Sequence, residues 1–256
     1  MKIAVSGKGG VGKTTLSSLL ARYWAKKGYR VLAVDADPDA NLGSALGIDT
    51  SGITPIAKME DLIFERTESK PGTVGGFFKM NPKVDDLPES LGKDKDGVKL
   101  LVMGTVKKGG GGCICPESVL LKALISHLVL YEKDLVIMDM EAGIEHLGRG
   151  TARGVDTFLI VVEPGQRSIE TASKVLQLTR DIGLAKVAAV GSKVRNKEQE
   201  EFLRQNLGVI PLIGIIPFSE EIALADLENR PPSLEDPEIF SAIEQIATTI
   251  ETNSGK

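Results

Sequence analysis

Cysteine and histidine are nearly absent: the 256-residue chain holds two of each. Two cysteines cannot build a disulfide framework, so the chain reads as a protein of a reducing compartment, with a cytoplasmic location expected. Aromatic residues make up 4% of the sequence, which leaves little for base-stacking platforms of the kind that grip single-stranded nucleic acid. No apolar run approaches the roughly 18 residues of a membrane-spanning helix. Met1-Lys2 leads straight into an apolar stretch, so no signal peptide is expected. There is no excess of positive charge. The formal net charge is −4 and the pI is near 5.4, which argues against electrostatic capture of nucleic acid or of an anionic membrane.

What is present is a core-sized apolar fraction, 42% of residues, and a regular alternation of strand-like and helix-like runs. Strands are expected at 2–6, 30–35, 98–103, 134–139, 157–162, 186–191 and 212–216. Helices are expected at 14–27, 117–130, 168–182, 197–206 and 237–251. This alternation predicts an α/β domain spanning 1–256, with a mostly parallel sheet of seven or eight strands and helices on both faces. Residues 49–97 break the pattern with Pro55, Pro71, Pro82, Pro88 and a charged run from Lys93 to Asp96. They read as an irregular insertion, with one helix at 55–66 and flexible backbone near Gly72–Gly76. The last helix carries Ile239, Ile243, Ile246 and Ile250 at helical spacing. Its other face carries Glu238, Glu244 and Glu251, so docking on the sheet is expected rather than insertion into a membrane surface.

The strongest motif is Gly7-Lys8-Gly9-Gly10-Val11-Gly12-Lys13-Thr14, which fits the phosphate-loop pattern G-x-x-x-x-G-K-[ST]. It lies between a strand and a helix, as the chemistry requires. Glycines let successive N–H groups converge on one anion, and the helix N-terminus adds its positive end. Gly9, Gly10, Val11, Gly12, Lys13, Thr14 and Thr15 are the expected phosphate-binding residues. Lys13 is expected to reach the β- and γ-phosphates of a nucleoside triphosphate, and the Thr14 hydroxyl to hold Mg2+.

Two acidic segments follow strands. Asp35-Ala36-Asp37-Pro38-Asp39 puts three carboxylates at a strand's C-terminal end, where α/β ligand sites form. A carboxylate there can orient a water or act on Mg2+, and Asp37 or Asp39 can instead cap a helix. Leu135-Val136-Ile137-Met138-Asp139 is a buried strand that delivers one carboxylate to the Mg2+ shell. Past it, Gly143 has a backbone N–H free to move toward a γ-phosphate, and His146 reads as a structural histidine by default.

Both cysteines sit in Gly109-Gly110-Gly111-Gly112-Cys113-Ile114-Cys115-Pro116-Glu117. Pro116 fits the first position of a helix, which puts Cys115 near the N-cap, where the dipole favours thiolate. Thiolates are soft ligands that suit Zn2+, Cu(I), iron–sulfur clusters or thiolate-bound Ni2+. One Cys-x-Cys supplies two ligands, whereas a closed site takes four. A symmetric homodimer with Cys113 and Cys115 from each copy makes up the number, one metal per dimer.

The phosphate loop with its extra lysine, Lys8, resembles the deviant loop of MinD/ParA and nitrogenase-iron-protein ATPases. In that class the early lysine reaches the partner subunit's nucleotide. The resemblance implies a nucleotide-dependent homodimer with Lys8, Lys13 and Asp37 as the catalytic set. Asp37 positions the hydrolytic water, and Asp35 lies near the metal with Thr14 and Asp139. It also implies that Ser192, Lys193 and Pro217 line the base pocket. Ser192 stands where asparagine is usual, so adenine over guanine rests on the resemblance alone. Together with Asp35–Leu42, Cys113-Ile114-Cys115 and Asp139–Gly150, the loop resembles the CooC type, accessory ATPases for nickel insertion into carbon monoxide dehydrogenase. That resemblance implies carbon monoxide dehydrogenase as client, with no nucleic acid and no membrane partner. An iron–sulfur redox ATPase is the first alternative, although the switch position that would hold its second cluster cysteine is Ala142. A ParA/MinD positioning ATPase is the second.

Overall fold

A computed structural model describes residues 1–72, 77–105, 115–141, 147 and 149–254. These residues form eight strands: β1 (Lys2–Gly7), β2 (Val31–Asp35), β3 (Lys93–Lys95), β4 (Val98–Val102), β5 (Leu135–Asp139), β6 (Thr157–Val162), β7 (Val187–Val194) and β8 (Leu212–Pro217). The helices are α1 (Lys13–Lys26), α2 (Leu42–Leu46), α3 (Glu60–Thr67), α4 (Leu87–Leu91), α5 (Pro116–Leu130), α6 (Arg149–Ala152), α7 (Gln166–Ile182), α8 (Lys197–Asn206), α9 (Glu220–Leu227) and α10 (Pro237–Ser254). The strands lie in one sheet in the order β3-β4-β2-β5-β1-β6-β7-β8. All neighbours pair in parallel except β3, which runs antiparallel to β4.

Strands covered on both faces must be apolar throughout, and β1, β2, β5 and β6 are buried along their whole length. Alternate residues divide between two cores. Ile3, Val5, Leu159 and Val161 pack with Leu16, Leu19, Leu20 and Trp24 of α1 and with Ile239, Ile243 and Ile246 of α10. Ala4, Phe158, Ile160 and Val162 pack with Leu120, Leu124 and Leu128 of α5 and Ile169 and Val175 of α7. Gly28, with φ 89°, takes the left-handed turn that ends α1.

The last helix docks as expected. Ile239, Ile243, Ile246 and Ile250 are 0–1% exposed. Gly214 of β8 makes room for Ile246: a Cβ there would lie 2.3 Å from Ile246 Cγ1. The acidic face is also used. Glu251 accepts from Trp24 Nε1 at 2.6 Å and Glu244 from the Tyr23 hydroxyl at 3.2 Å, which ties α10 to α1. Among the described residues no helix is long and apolar enough to cross a membrane.

Residues 49–97 add to the fold rather than looping away from it. The expected helix is divided into a 3-10 turn at Ile56–Lys58 and α3. Ile56, Ile63, Val84 and Leu87 enter the α5-side core. Arg66 grips the Asp86 carboxylate with two hydrogen bonds of 3.0 and 2.7 Å, joining α3 to the start of α4. The charged run at Lys93–Asp96 is not part of a loop: Lys93–Lys95 is the exposed edge strand β3. Charged side chains suit an edge because they discourage further strand addition. The flexible backbone expected near Gly72–Gly76 lies, for 73–76, outside the described residues.

Candidate functional site

The phosphate loop joins β1, near the middle of the sheet, to α1. Gly7 has φ 152°, and a Cβ on it would lie 2.5 Å from the Val161 carbonyl oxygen. Gly12, with φ 95°, is the N-cap of α1, and Gly10 has φ 78°. These angles turn the loop around its own N–H groups, a geometry that holds an anion. Lys8 is half-buried, Gly9 and Gly10 are exposed, and Lys13 is 8% exposed.

The two strands on one side of β1 bring acids to the loop. Asp139 ends β5 and is fully buried. It accepts from the Thr14 hydroxyl at 2.7 Å and from the Ser17 hydroxyl at 3.2 Å. Thr14 and Asp139 thus sit together as a magnesium pair requires, and these oxygen donors fit Mg2+. Asp35 ends β2 directly beside Asp139. Its carboxylate accepts from the backbone N–H of Asp37 at 3.3 Å and of Leu42 at 2.8 Å. Capping in this segment therefore falls to Asp35, which shapes the turn that carries Asp37. Lys13 Nζ lies 3.9 Å from Asp37 Oδ2, so the expected phosphate-binding lysine and the expected water-orienting acid face each other. Asp39 is exposed, its N–H donating to Asp37 at 3.0 Å.

Burial, then the charge of Asp139, pushes the Asp35 carboxyl up to about 7. Burial raises Asp139 to about 6 against the pull of the Thr14 hydrogen bond and the Lys13 charge. Two buried acids side by side form a site that a divalent cation would neutralise.

On the other side of β1, the expected base-pocket residues also meet the loop. β7 runs further than expected, through Ser192 and Lys193 to Val194, which pairs with Pro217 across an irregular register. Ser192 is 5% exposed, and its Oγ lies 3.0 Å from where a Gly12 Cβ would be. Lys193, in the left-handed region at φ 57°, donates from Nζ to the Gly10 carbonyl. Arg195 and Phe218 lie in the same two segments as these base-pocket residues. The Arg195 guanidinium sits over the Phe218 ring, its Cζ 3.5 Å from the centroid. Ser17 belongs to no motif, yet it lies one helical turn from Thr14 and so on the same face, toward Asp139.

Cys115 is the N-cap of α5 in extended conformation (φ −114°, ψ 155°), with Pro116 at the first helical position, and is 9% exposed. Cys113 lies outside the described residues, as do Ala142, Gly143 and His146. Among the described residues, no three or more His, Cys, Asp or Glu side chains gather to hold a metal. Two thiolates per chain would not form such a group.

Residues 2–232 match the model of the CobQ/CobB/MinD/ParA nucleotide binding domain. The chain belongs to that family. It is a P-loop ATPase of the MinD/ParA kind, with ATP and Mg2+ as its ligands. It is 47% identical over 229 residues to the carbon monoxide dehydrogenase accessory protein CooC of Rhodospirillum rubrum, covering 88% of this chain and 87% of that one. The expected kinship with CooC holds at this identity. An uncharacterized ATP-binding protein of Methanocaldococcus jannaschii is 45% identical over 249 residues, 96% of each chain. The solved structure of the septum site-determining protein MinD with Mg-ADP from Pyrococcus horikoshii superposes with a TM-score of 0.68 at 22% identity. It covers 99% of this chain and 97% of that one, and shows that the MinD/ParA fold is shared.

Proposed function

We propose that this ATPase works as a homodimer that binds Ni2+ or Zn2+ through Cys113 and Cys115 and assists nickel insertion into carbon monoxide dehydrogenase. The observation that carries this reading is the 47% identity to CooC across most of both chains. The cysteines support it. Cys115 at a helix N-cap is placed where the dipole stabilises thiolate. A shared site of two Cys-x-Cys segments would meet a metal's need for four ligands only in the dimer, one metal to each pair of chains. A cytoplasmic location fits this work.

The nucleotide supplies the free energy of phosphoryl transfer, and Mg2+ offsets the charge on its phosphates. The residues of the chain do the rest. Backbone N–H groups from Gly9 to Thr15 bind the phosphates, and Lys13 neutralises them. Thr14 and Asp139 would hold Mg2+, with Asp35 behind them keeping the Asp37 turn in place. Asp37 orients the attacking water. Lys13 and Asp37 face each other across 3.9 Å. A triphosphate that engages Lys13 would release Asp37 toward the water, so the same pair can report whether the γ-phosphate is there. Lys8 would reach across the dimer to the partner's nucleotide.

The test is mass and metal content together, by light scattering and elemental analysis with Ni2+ or Zn2+. One metal per dimer, lost when both cysteines become serine, is the expected result. Iron and sulfide in a coloured dimer, or metal bound without the cysteines, would overturn it. The client is tested by the activity of carbon monoxide dehydrogenase matured with and without this protein.

A further inference from the structure

The strand order gives the bound nucleotide a direction. Thr14 and Lys13 aim their polar ends at Asp139 and Asp37, on β5 and just past β2. Both strands lie on one side of β1, and β6, β7 and β8 lie on the other. The γ-phosphate end therefore faces β5 and β2, and the sugar and base leave the loop toward the ends of β7 and β8. Ser192 against Gly12 and Lys193 on Gly10 bring those strand ends to the loop's rim.

Arg195 and Phe218 come immediately after these strand ends. The ring of Phe218 is half-buried, and its backbone N–H donates to the Val194 carbonyl at 2.9 Å, which fixes it in place. Arg195 is exposed, and its N–H donates to Gln199 Oε1 at 2.8 Å. Gln199 is in turn held by the Asn196 cap of α8. Among the described residues Arg195 has no ion pair. Its guanidinium covers an aromatic face instead, where a planar cation is well held. One face of that plane is on Phe218, and the residue as a whole is exposed.

We propose that the face of Arg195 turned away from Phe218 is the platform on which the purine ring of the bound nucleotide stacks. This rests on the nucleotide site and not on the metal or the client. A guanidinium plane gains from stacking on any base, and more from a purine than from a pyrimidine because more area overlaps. It offers nothing that tells adenine from guanine. Arg195 thus sets a preference for ring size.

The test is calorimetric titration of the unmodified protein, Arg195→Ala and Arg195→Lys with Mg-ATP, Mg-CTP and magnesium tripolyphosphate. Stacking predicts that both variants bind ATP about tenfold more weakly, lose less affinity for CTP, and bind tripolyphosphate unchanged. Unchanged tripolyphosphate binding also shows that the variants are folded. Equal losses for ATP and tripolyphosphate, restored by lysine, would mean a phosphate contact and overturn the proposal, as would ATP binding unaltered in both variants. Lys13→Ala should lose all three ligands. If it kept them, the nucleotide site itself would be misplaced, a failure distinct from that of the platform.

Discussion

Asp35 and Asp139 are the last residues of neighbouring parallel strands and direct partners in the ladder, each buried to within 1%. A cation-free protein must keep both acids out of water side by side. Their raised pKa values are the consequence, and they fix a sign for pH dependence. Folded carboxyls at about 7 and about 6 hold protons that the unfolded chain gives up near 4. Stability from these groups is complete at low pH and is lost as pH rises through 6 to 7. Without Mg2+ or nucleotide, the melting temperature should rise from about pH 8 to about pH 6, by on the order of 1–2 kcal/mol of stability. Mg-ATP should stabilise more at the higher pH, and Asp35→Asn should flatten the slope. Melting curves by differential scanning fluorimetry across the range check all three.

The facing of Lys13 and Asp37 separates binding from turnover. Lys13→Ala should weaken ATP binding on the order of 100-fold or more, because several charge-assisted contacts go at once. Asp37→Asn should bind ATP with affinity near that of the unmodified protein and lower kcat by about 100-fold or more. Titration and a phosphate-release assay measure each effect. Normal turnover in Asp37→Asn would remove that residue from the water-orienting role.

Ser17→Ala tests the second donor to Asp139. It removes a 3.2 Å bond and leaves the 2.7 Å bond from Thr14. Buried Asp139 is then less well held, and Mg2+ dependence of ATP hydrolysis should shift to higher concentration by about fivefold, in line with roughly 1 kcal/mol for such a bond. A magnesium titration of the ATPase rate reads this directly.

Gly214→Ala should be costly far from the site. The added Cβ meets Ile246 at 2.3 Å in a core where α10 lies on β8. Overpacking of this kind costs about 1–3 kcal/mol, to be read from denaturant unfolding, with nucleotide affinity little changed.

The phosphate loop, Asp139 and the parallel sheet were legible because each is written in local sequence. Glycine spacing marks the loop, and four apolar residues before an acid mark a buried strand. Strand β3 was not legible. Lys93-Asp94-Lys95 is wholly exposed, and an edge strand without an apolar face looks like a loop. Helices α2 and α4 have five residues each, too short for a helical period to show. The capping role of Asp35 was hidden for a different reason: its partner, the N–H of Leu42, is set by the path of the turn and not by residue type. The pairing of Arg195 with Phe218 joins residues 23 positions apart on separate strands' ends, and no periodicity in either segment announces it.

Trp24 is the chain's one tryptophan. It is fully buried near the end of the helix whose first turn holds Lys13 and Thr14, and its indole N–H is fixed on Glu251 of the final helix. The protein therefore carries its own fluorophore, a single emitter about 16 Å along one rigid rod from the phosphate site. Any loosening of the C-terminal helix from that rod would wet the indole and move its emission to the red, so a change at the back of the molecule can be followed by light without a label.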